Sequence, residues 1–535
     1  MKFLIPVFAG FWGTIALLQA QHFHQPFFNE YQLQLEAAAH ETRAPFFSAV
    51  KPYRLSALRP IINPDSVLGV KPYRGSFART WTGRKLFSED LVRISFPQGQ
   101  ILVNPAFDFT MGRDFSGDKT LWTNTRGVTV RGNLGKMFSF YSDFYENQAA
   151  LPGYLSDVAD TMGIIPGQGR SKPFKTVGYD YAWANGYVVF APAQWVDIEF
   201  GIGKNFIGDG YRSLLLSDVA FNYPYLKINT QFWRFKYTNL WGEFQDIRPS
   251  LAGDNLNTKK YGAFHYLDFN IARGLNLGLF EGVMFSGTDS TGVNRGLEWS
   301  YMNPIIFFRP VEYGLGSYDN ALLGANLKWQ ITASHQLYGQ LMLDELNLGN
   351  FLGKTQSGWR ANKQAFQLGY KYFNVFGLKG LHLQTEFNYV RPYTYNHWRT
   401  NQNYAHYNQS LAHPLGANFW ELLGFLKDRT DRWMFNSRLS YAIVGLDSAG
   451  MNYGQNIYNL DLNHPQEYGN VVGQGLRTSL MVLELSAAYI LNPAYGFRIE
   501  AGTRLRHFEN TQSTQMTSWF WFGLRTNLPN RYYDW

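Results

Sequence analysis

Ser518-Trp519-Phe520-Trp521-Phe522-Gly523-Leu524-Arg525-Thr526-Asn527-Leu528 alternates along its length. Phe520, Phe522, Leu524 and Leu528 fall on one face, and Trp519, Trp521, Gly523 and Arg525 on the other, which is the period of two of a strand. A soluble sheet makes the same pattern. Repetition decides between the two: about a dozen or more earlier segments alternate in the same way, short turns join them in pairs, and an export signal precedes them. That combination predicts a closed transmembrane barrel, in which lipid wets the apolar face and every backbone amide is paired.

Composition agrees with this prediction. Aromatic residues make up 17% of the 535 positions while mean hydropathy is −0.27, a balance that suits aromatic girdles around a polar lumen and not a bundle of membrane helices. The absence of cysteine excludes disulfide frameworks, thiolate metal sites and cysteine nucleophiles. A net charge of +8 is compatible with an acidic polysaccharide or lipopolysaccharide partner, and equally with scattered solvated or lumenal side chains. No nucleic-acid partner is expected.

Lys2, an apolar run from Phe3 to Leu18 and the small Ala20 before Gln21 form a secretory signal peptide over 1–20. No later run reaches the roughly 18 apolar residues of a membrane helix. Residues 21–98 lack clean alternation. Asn29 to Arg43 reads as a short helix, and Ser48 to Arg74 is broken by Pro52, Pro60, Pro64 and Pro72. This stretch is expected to be a periplasmic segment packed under or into the mouth of a barrel formed by 99–535.

From Gln100 onward, short turns near 133–136, 191–194, 273–276, 332–334 and 492–495 alternate with longer loops at 149–178, 207–224, 287–319, 347–362 and 446–477. Outer-membrane barrels have this asymmetry, with the short turns in the periplasm. If both ends of the barrel are periplasmic, the strand number is even, and about 18 strands fit. Parity makes Tyr301 to Leu315 part of an outside loop, makes 403–412 a strand, and sends the helical-looking Asn418 to Lys427 to the periplasmic side.

Charge facing hydrocarbon costs roughly 2–4 kcal/mol at mid-depth, so the charged face of each strand is assigned to the interior. Arg498, Arg504, Arg506 and Arg525 then line the lumen with Asp197, Glu199, Asp268, Glu386 and Glu500, a mixture of signs that predicts a laced, largely blocked interior.

The most distinctive loop is Gly208-Asp209-Gly210-Tyr211-Arg212-Ser213-Leu214-Leu215-Leu216-Ser217-Asp218. Its glycines permit a tight turn. Arg212 is placed to fork onto Asp209, Asp218 or an acidic sugar, and the phosphate-loop spacing is missing. The bland reading is a loop folded into the barrel mouth. The eleven histidines have no metal-ligand spacing, and Ser410 with His413 or Ser334 with His335 lack any surroundings that favour hydrolysis, so neither a metal nor catalysis is expected. Trp299 with Tyr301, Trp359, Tyr393, Tyr395, Trp398 with Arg399, and Tyr453 with Tyr458 fall in outside segments. They suit stacking on sugar rings and suit a membrane-rim girdle equally. The candidate ligand residues are Asp209, Tyr211, Arg212, Asp218, Trp299, Trp359, Trp398 and Arg399.

Three segments carry a resemblance to a known family: Ser48-Ala49-Val50-Lys51-Pro52-Tyr53, Gly208 to Leu214 with Tyr223-Pro224-Tyr225-Leu226-Lys227, and Ala412-His413-Pro414-Leu415-Gly416-Ala417-Asn418-Phe419. The chain resembles the capsule-assembly family typified by Wzi, in the form found in bacteria that also glide and export surface proteins. The resemblance implies an all-β, 18-stranded antiparallel outer-membrane barrel occluded by short helices. It also implies a non-enzymatic lectin, without cofactor, that ties capsular or other surface polysaccharide to the cell among outer-membrane lipid and lipopolysaccharide. A surface-export or gliding component that binds proteins, and a substrate-specific pore, are the alternatives.

Overall fold

The computed structural model describes residues 24, 27–69, 75–248, 256–288, 293, 295–305, 307–316, 319–345, 357–459 and 463–535. The signal peptide expected over 1–20 lies outside the described residues, and the loop expected over 347–362 is described from 357.

The chain forms a closed barrel of 18 antiparallel strands. They are β1 Gly99–Asp114, β2 Lys119–Leu134, β3 Phe138–Ala150, β4 Gly178–Ala193, β5 Val196–Gly203 and β6 Tyr223–Phe232, followed by β7 Phe235–Asp246, β8 Thr258–Ala272, β9 Leu275–Ser286, β10 Asn320–Gln330, β11 His335–Glu345 and β12 Lys363–Phe373. The last six are β13 Leu381–Val390, β14 Phe419–Thr430, β15 Trp433–Leu446, β16 Leu476–Asn492, β17 Phe497–Glu509 and β18 Thr514–Arg525. No helix among the described residues is long and apolar enough to cross a membrane.

Closure falls on the stretch that decided the fold. β18 pairs with the far half of β1, from Trp519 opposite Asp114 to Arg525 opposite Asp108, while the strand Val92–Phe96 pairs with the near half, Val103 to Gly99. One edge of β1 is thus completed by two segments in succession, which leaves no open ladder in the wall. The alternation on β18 sorts as expected: Phe520 and Phe522 are exposed and Trp521 is buried. Leu528 departs from the sequence reading. The strand ends at Arg525, and the chain turns into the lumen, where Leu528 is buried against Ala106, Tyr145 and Trp183.

One strand was misplaced. Residues 403–412 are not in the wall; they form a two-residue hairpin, Ala405 opposite Ser410 and His406 opposite Gln409, inside a long loop. Phe419–Thr430, expected as a helix-like periplasmic stretch, is β14 and pairs with β13 from Val390 opposite Phe419 to Leu381 opposite Asp428. Glu421, Leu423 and Phe425 face inward and are buried, while Leu422 and Leu426 face outward and are exposed. Both faces are apolar because the inner one packs on Tyr211, Val219 and Tyr532, so the polar-apolar alternation is erased.

The lumen is filled by five parts of the same chain. Helix α1, Asn29–Thr42, and the segment after it enter from the short-turn rim; the loops 204–222 and 391–418 fold in from the other rim; and residues 526–535 turn back from β18. Leu214, Leu215 and Leu216 are fully buried at the centre, against Phe244, Phe264, Phe280, Met342 and Tyr404 from the wall and loops. A second helix, α2, Gly153–Met162, packs inside through Leu155 and Ala159, and Tyr154 Oη donates to Tyr533 O at 2.6 Å.

The described residues of the loop 287–319 lie outside as expected, but they fold back onto the outer wall. Helix α3, Phe308–Leu315, sits over the outward faces of β8 and β9: the Phe308 ring is 4.1 Å from His265, and the Phe308 N–H donates to Glu281 Oε1 at 2.8 Å. Trp241 Nε1 on β7 donates to Tyr301 O at 2.9 Å. Asn239, His265 and Glu281 are successive cross-strand neighbours on the membrane-facing side, and α3 with its preceding turn covers that polar row. The surface turned away from the wall exposes Trp299, Ile305, Phe307 and Tyr313.

Candidate functional site

The loop 208–218 is the hub of the lumen. Gly208 has φ +156°, and an added Cβ would collide with the Gln340 amide; a Cβ on Gly210 would lie 2.5 Å from Glu386 Oε2. With no side chains there, Glu386 on β13 accepts from the backbone N–H groups of Tyr211 (2.8 Å) and Arg212 (3.1 Å). This aims the Arg212 side chain at β14 and the C-terminal tail.

Arg212 is buried and forks onto two carboxylates, Glu421 on β14 (Nη2–Oε1 2.9 Å) and Asp534 in the tail (Nη2–Oδ2 3.1 Å). Neither Asp209 nor Asp218 is its partner, as the sequence had suggested. Asp209 accepts from Ser48 Oγ (2.5 Å) and Asn326 Nδ2 (2.8 Å), and Asp218 accepts from Tyr532 Oη (2.7 Å) and Asn530 Nδ2 (3.0 Å). Tyr211 Oη donates to Asp534 at 3.0 Å and accepts from Arg438 Nη1 at 2.6 Å. Burial opposes the charge on Arg212, but Asp534 and Glu421 outweigh it and hold the guanidinium well above its ordinary range. Asp534 is likewise disfavoured by burial and held below the usual carboxylate range by Arg212 and Arg438.

A second group of buried charges ties the plug to the opposite wall. Glu36 on α1 meets Lys371 on β12 (2.5 Å) and Lys51 (3.4 Å), and Tyr53 Oη donates to it. Burial raises the Glu36 carboxyl, and the two lysines overcome that and bring it to about 2. Lys328 on β10 donates to Phe46 O (2.6 Å) and Ser48 Oγ (2.7 Å). Glu199 on β5 is met by His24 (2.8 Å), Arg54 (3.0 Å) and Lys227 (3.0 Å), and Arg54 also pairs with Asp197.

The other inward charges form local pairs. Arg504 pairs with Glu484, Arg498 (2.8 Å) and Arg525 (2.5 Å) pair with Glu500, Arg506 Nε donates to Trp535 O at 3.0 Å, and Asp268 accepts from Asn276 at 3.4 Å. Burying such charges is tolerated only when each has a partner, so the plug is held by geometry that fails if one member is removed.

Above the plug, three loops are bonded into one crown. Arg360 N–H donates to Glu467 O (2.9 Å), Gly469 N–H to Ser357 O (2.9 Å), Tyr393 N–H to Gly454 O (3.0 Å) and Ala417 N–H to Gln455 O (3.2 Å). Trp359 Nε1 donates to Glu467 at 2.7 Å, beside the Arg360–Glu467 pair at the same distance. Trp398 is exposed, with the Arg399 guanidinium 4.4 Å from its ring centroid. Tyr301, Tyr393 and Tyr395, expected among the outer aromatics, are instead fully buried; Tyr395 Oη donates to Leu214 O at 2.8 Å. Of the candidate ligand residues, Trp359, Trp398 and Arg399 stand on the crown, Trp299 on the outer flank, and Asp209, Tyr211, Arg212 and Asp218 inside the plug.

In solved structures, this arrangement is similar to Wzi of Escherichia coli, described as an outer membrane protein involved in group 1 capsule assembly and a carbohydrate binding β-barrel. The two superpose with a TM-score of 0.56 at 13% identity over 95% of this chain and 99% of Wzi. The fold is shared. OprD of Pseudomonas aeruginosa (TM-score 0.41, 12% identity, 79% of this chain and 94% of that one) and OccAB2 of Acinetobacter baumannii (0.44, 9%, 80% and 98%) score lower. No protein-family model matches the chain, and no curated protein matches it in sequence.

The serine–histidine pairs weighed in the sequence are engaged elsewhere. His413 Nε2 is 2.7 Å from Glu421 Oε2, Ser410 Oγ accepts from the Ala412 N–H, and His335 Nδ1 is 2.6 Å from Tyr370 Oη. Among the described residues no group of three or more His, Cys, Asp or Glu is arranged to hold a metal.

Proposed function

We propose that this protein is a non-enzymatic outer-membrane barrel that binds capsular or other surface polysaccharide at its loop crown and holds it at the cell surface. The observation that carries the reading is the filled lumen. Five segments of the chain occupy it, fixed by buried pairs such as Arg212–Asp534 and Glu36–Lys371, which is unlike a diffusion pore. What the molecule then offers to the outside is a rigid crown bearing Trp398 with Arg399 and Trp359 with Arg360. A flat ring beside cationic and amide donors matches the apolar face and hydroxyls of a sugar. The likeness to Wzi, described as a carbohydrate binding β-barrel, supports the same reading.

In this reading 1–20 is removed near Ala20, 21–98 forms the periplasmic plug, and the short turns face the periplasm. The test is retention of the cell's own surface polysaccharide by the purified barrel. Wild type retains it, and Trp398→Ala with Arg399→Ala loses most of that retention while the barrel stays folded. Equal retention by the double variant, or none by wild type, overturns the reading.

A further inference from the structure

A second place in the fold has chemistry suited to sugar, and it lies at the opposite rim. Between the inward faces of β1 to β4 and the plug segment 52–68 is a cavity of about 480 Å³. That volume falls within the range of about 300–1,000 Å³ usual for ligand sites. The turn Pro493 to Tyr495, between β16 and β17, lines it, so it belongs to the short-turn side, and the exposed Arg93 stands on its wall.

Two stacked aromatic pairs from β3 and β4 form one side. The Tyr141 and Tyr187 rings are 5.4 Å apart at 12°, and those of Tyr145 and Trp183 are 4.5 Å apart at 25°. Asp143, between them on β3, is occupied: it accepts from Tyr141 Oη (2.8 Å), Tyr145 Oη (3.2 Å) and the Asn185 N–H (2.8 Å). It therefore organises the wall, its oxygens committed to the two tyrosines and to Asn185. Two donors on the same lining are unused. Trp183 Nε1, on a side chain 6% exposed, and Arg131 Nε are both buried without a hydrogen-bond partner. Buried donors are nearly always satisfied, and an acceptor entering the cavity would satisfy these two. Arg131 (3.8 Å) and Arg93 (2.5 Å) both reach Asp90, and the lining adds Arg59 and Lys204 against Asp65 and Asp143, so its surplus of cations favours an anionic acceptor.

We propose that this vestibule is a glycan site distinct from the crown, which takes a carboxylate-bearing oligosaccharide segment from the short-turn side. Sugar rings lie along the tyrosine–tryptophan wall, and the carboxylate meets Arg131. The proposal rests on the polysaccharide reading above and adds to it a second point of grip and an acidic polymer.

The test uses the full mature chain in detergent, with oligogalacturonate as the acidic probe and malto-oligosaccharide as the neutral one, read by calorimetry. Folding of each variant is checked by its heat-modifiable gel mobility. Oligogalacturonate is expected to bind at least tenfold more tightly than the neutral probe. Trp183→Phe, which keeps the ring and removes the N–H, and Arg131→Gln each weaken it about tenfold, and Phe376→Ala, on an exposed turn away from both sites, leaves it unchanged. No oligogalacturonate binding, equal binding of both probes, or undiminished binding in Trp183→Phe and Arg131→Gln overturns the vestibule proposal. Retention of native polymer that depends on Trp398 leaves the crown reading standing in each of those cases, and its absence removes the crown reading separately.

Discussion

Arg212 and Asp534 are 322 positions apart in the chain and 3.1 Å apart in the middle of the lumen, where Arg212 also holds Glu421. Through this one guanidinium, an inward-folded loop, a wall strand and the tail after the last strand are joined. Arg212→Met keeps the volume and takes the shared partner from two buried carboxylates, leaving Asp534 to Arg438 and Glu421 to His413, so the cost is expected toward the lower end of the about 3–5 kcal/mol typical of a broken buried pair. The expected outcome is a plug that opens to protease and exchanges amide hydrogens at Leu214 to Leu216 while the wall strands stay protected. Adding Glu421→Gln and Asp534→Asn removes the under-compensated charges and restores part of the protection. Protection unchanged in Arg212→Met contradicts the account.

The tail also separates two spaces. Pro529 lines both the 480 Å³ vestibule and a smaller cavity of about 180 Å³ whose lining includes Arg438, Glu484, Arg504 and Trp519. In planar bilayers the intact chain is expected to pass no steady current. A chain ending at Thr526, which lacks that divider and Asp534, opens in bursts. A large constant conductance from the intact chain sinks the filled-lumen account and returns the protein to the class of pores.

Most of the wall was legible in the sequence because lipid on one side and charge on the other force strict alternation, as in β5, β13, β17 and β18. β14 was not, because its inner face meets apolar plug residues and its Leu- and Glu-rich run mimics a helix. Parity kept the total at 18 by trading one descending strand for another nearby. The membership of Arg212 in a buried hub was half legible. The loop was singled out, but partners 209 and 322 positions away leave no local trace. The fold-back of 299–315 did have a signal that was missed. Asn239, His265 and Glu281 interrupt three apolar outward faces at one cross-strand row, and polar groups at that depth require a cover.

That cover makes a prediction about two tryptophans that sequence alone treated alike. Trp299 belongs to the flap on the outer wall, and Trp398 to the crown. In liposomes, the emission lost on Trp299→Phe is expected to be the component quenched by brominated lipid, and that lost on Trp398→Phe the component quenched by iodide. If iodide reaches Trp299 and brominated lipid does not, the flap stands free of the bilayer.

The last prediction concerns acid. His24, His40, His397, His406 and His413 lie in the plug and loops, and burial is the largest influence on each, pushing all five below the ordinary 6.5. His24 falls to about 4, and His397 and His406 to about 3. A histidine whose folded value is depressed stays neutral in place and binds a proton once released. Its contribution is therefore complete above pH 6.5 and is lost as pH falls toward the folded value. Each such group tilts the docking equilibrium by up to about 1.4 kcal/mol per pH unit. Glu36, held at about 2, stays ionised throughout this window and does not offset the tilt. Protease resistance of the plug is expected to be level from pH 8 to 7 and to fall steeply from 6.5 to 5, while the lipid-embedded wall resists. Replacing His406 and His397 with glutamine, which cannot take the proton, makes the decline shallower. Resistance that is flat or rises over the same interval means that these imidazoles are solvated, and the packed lumen would have to be redrawn.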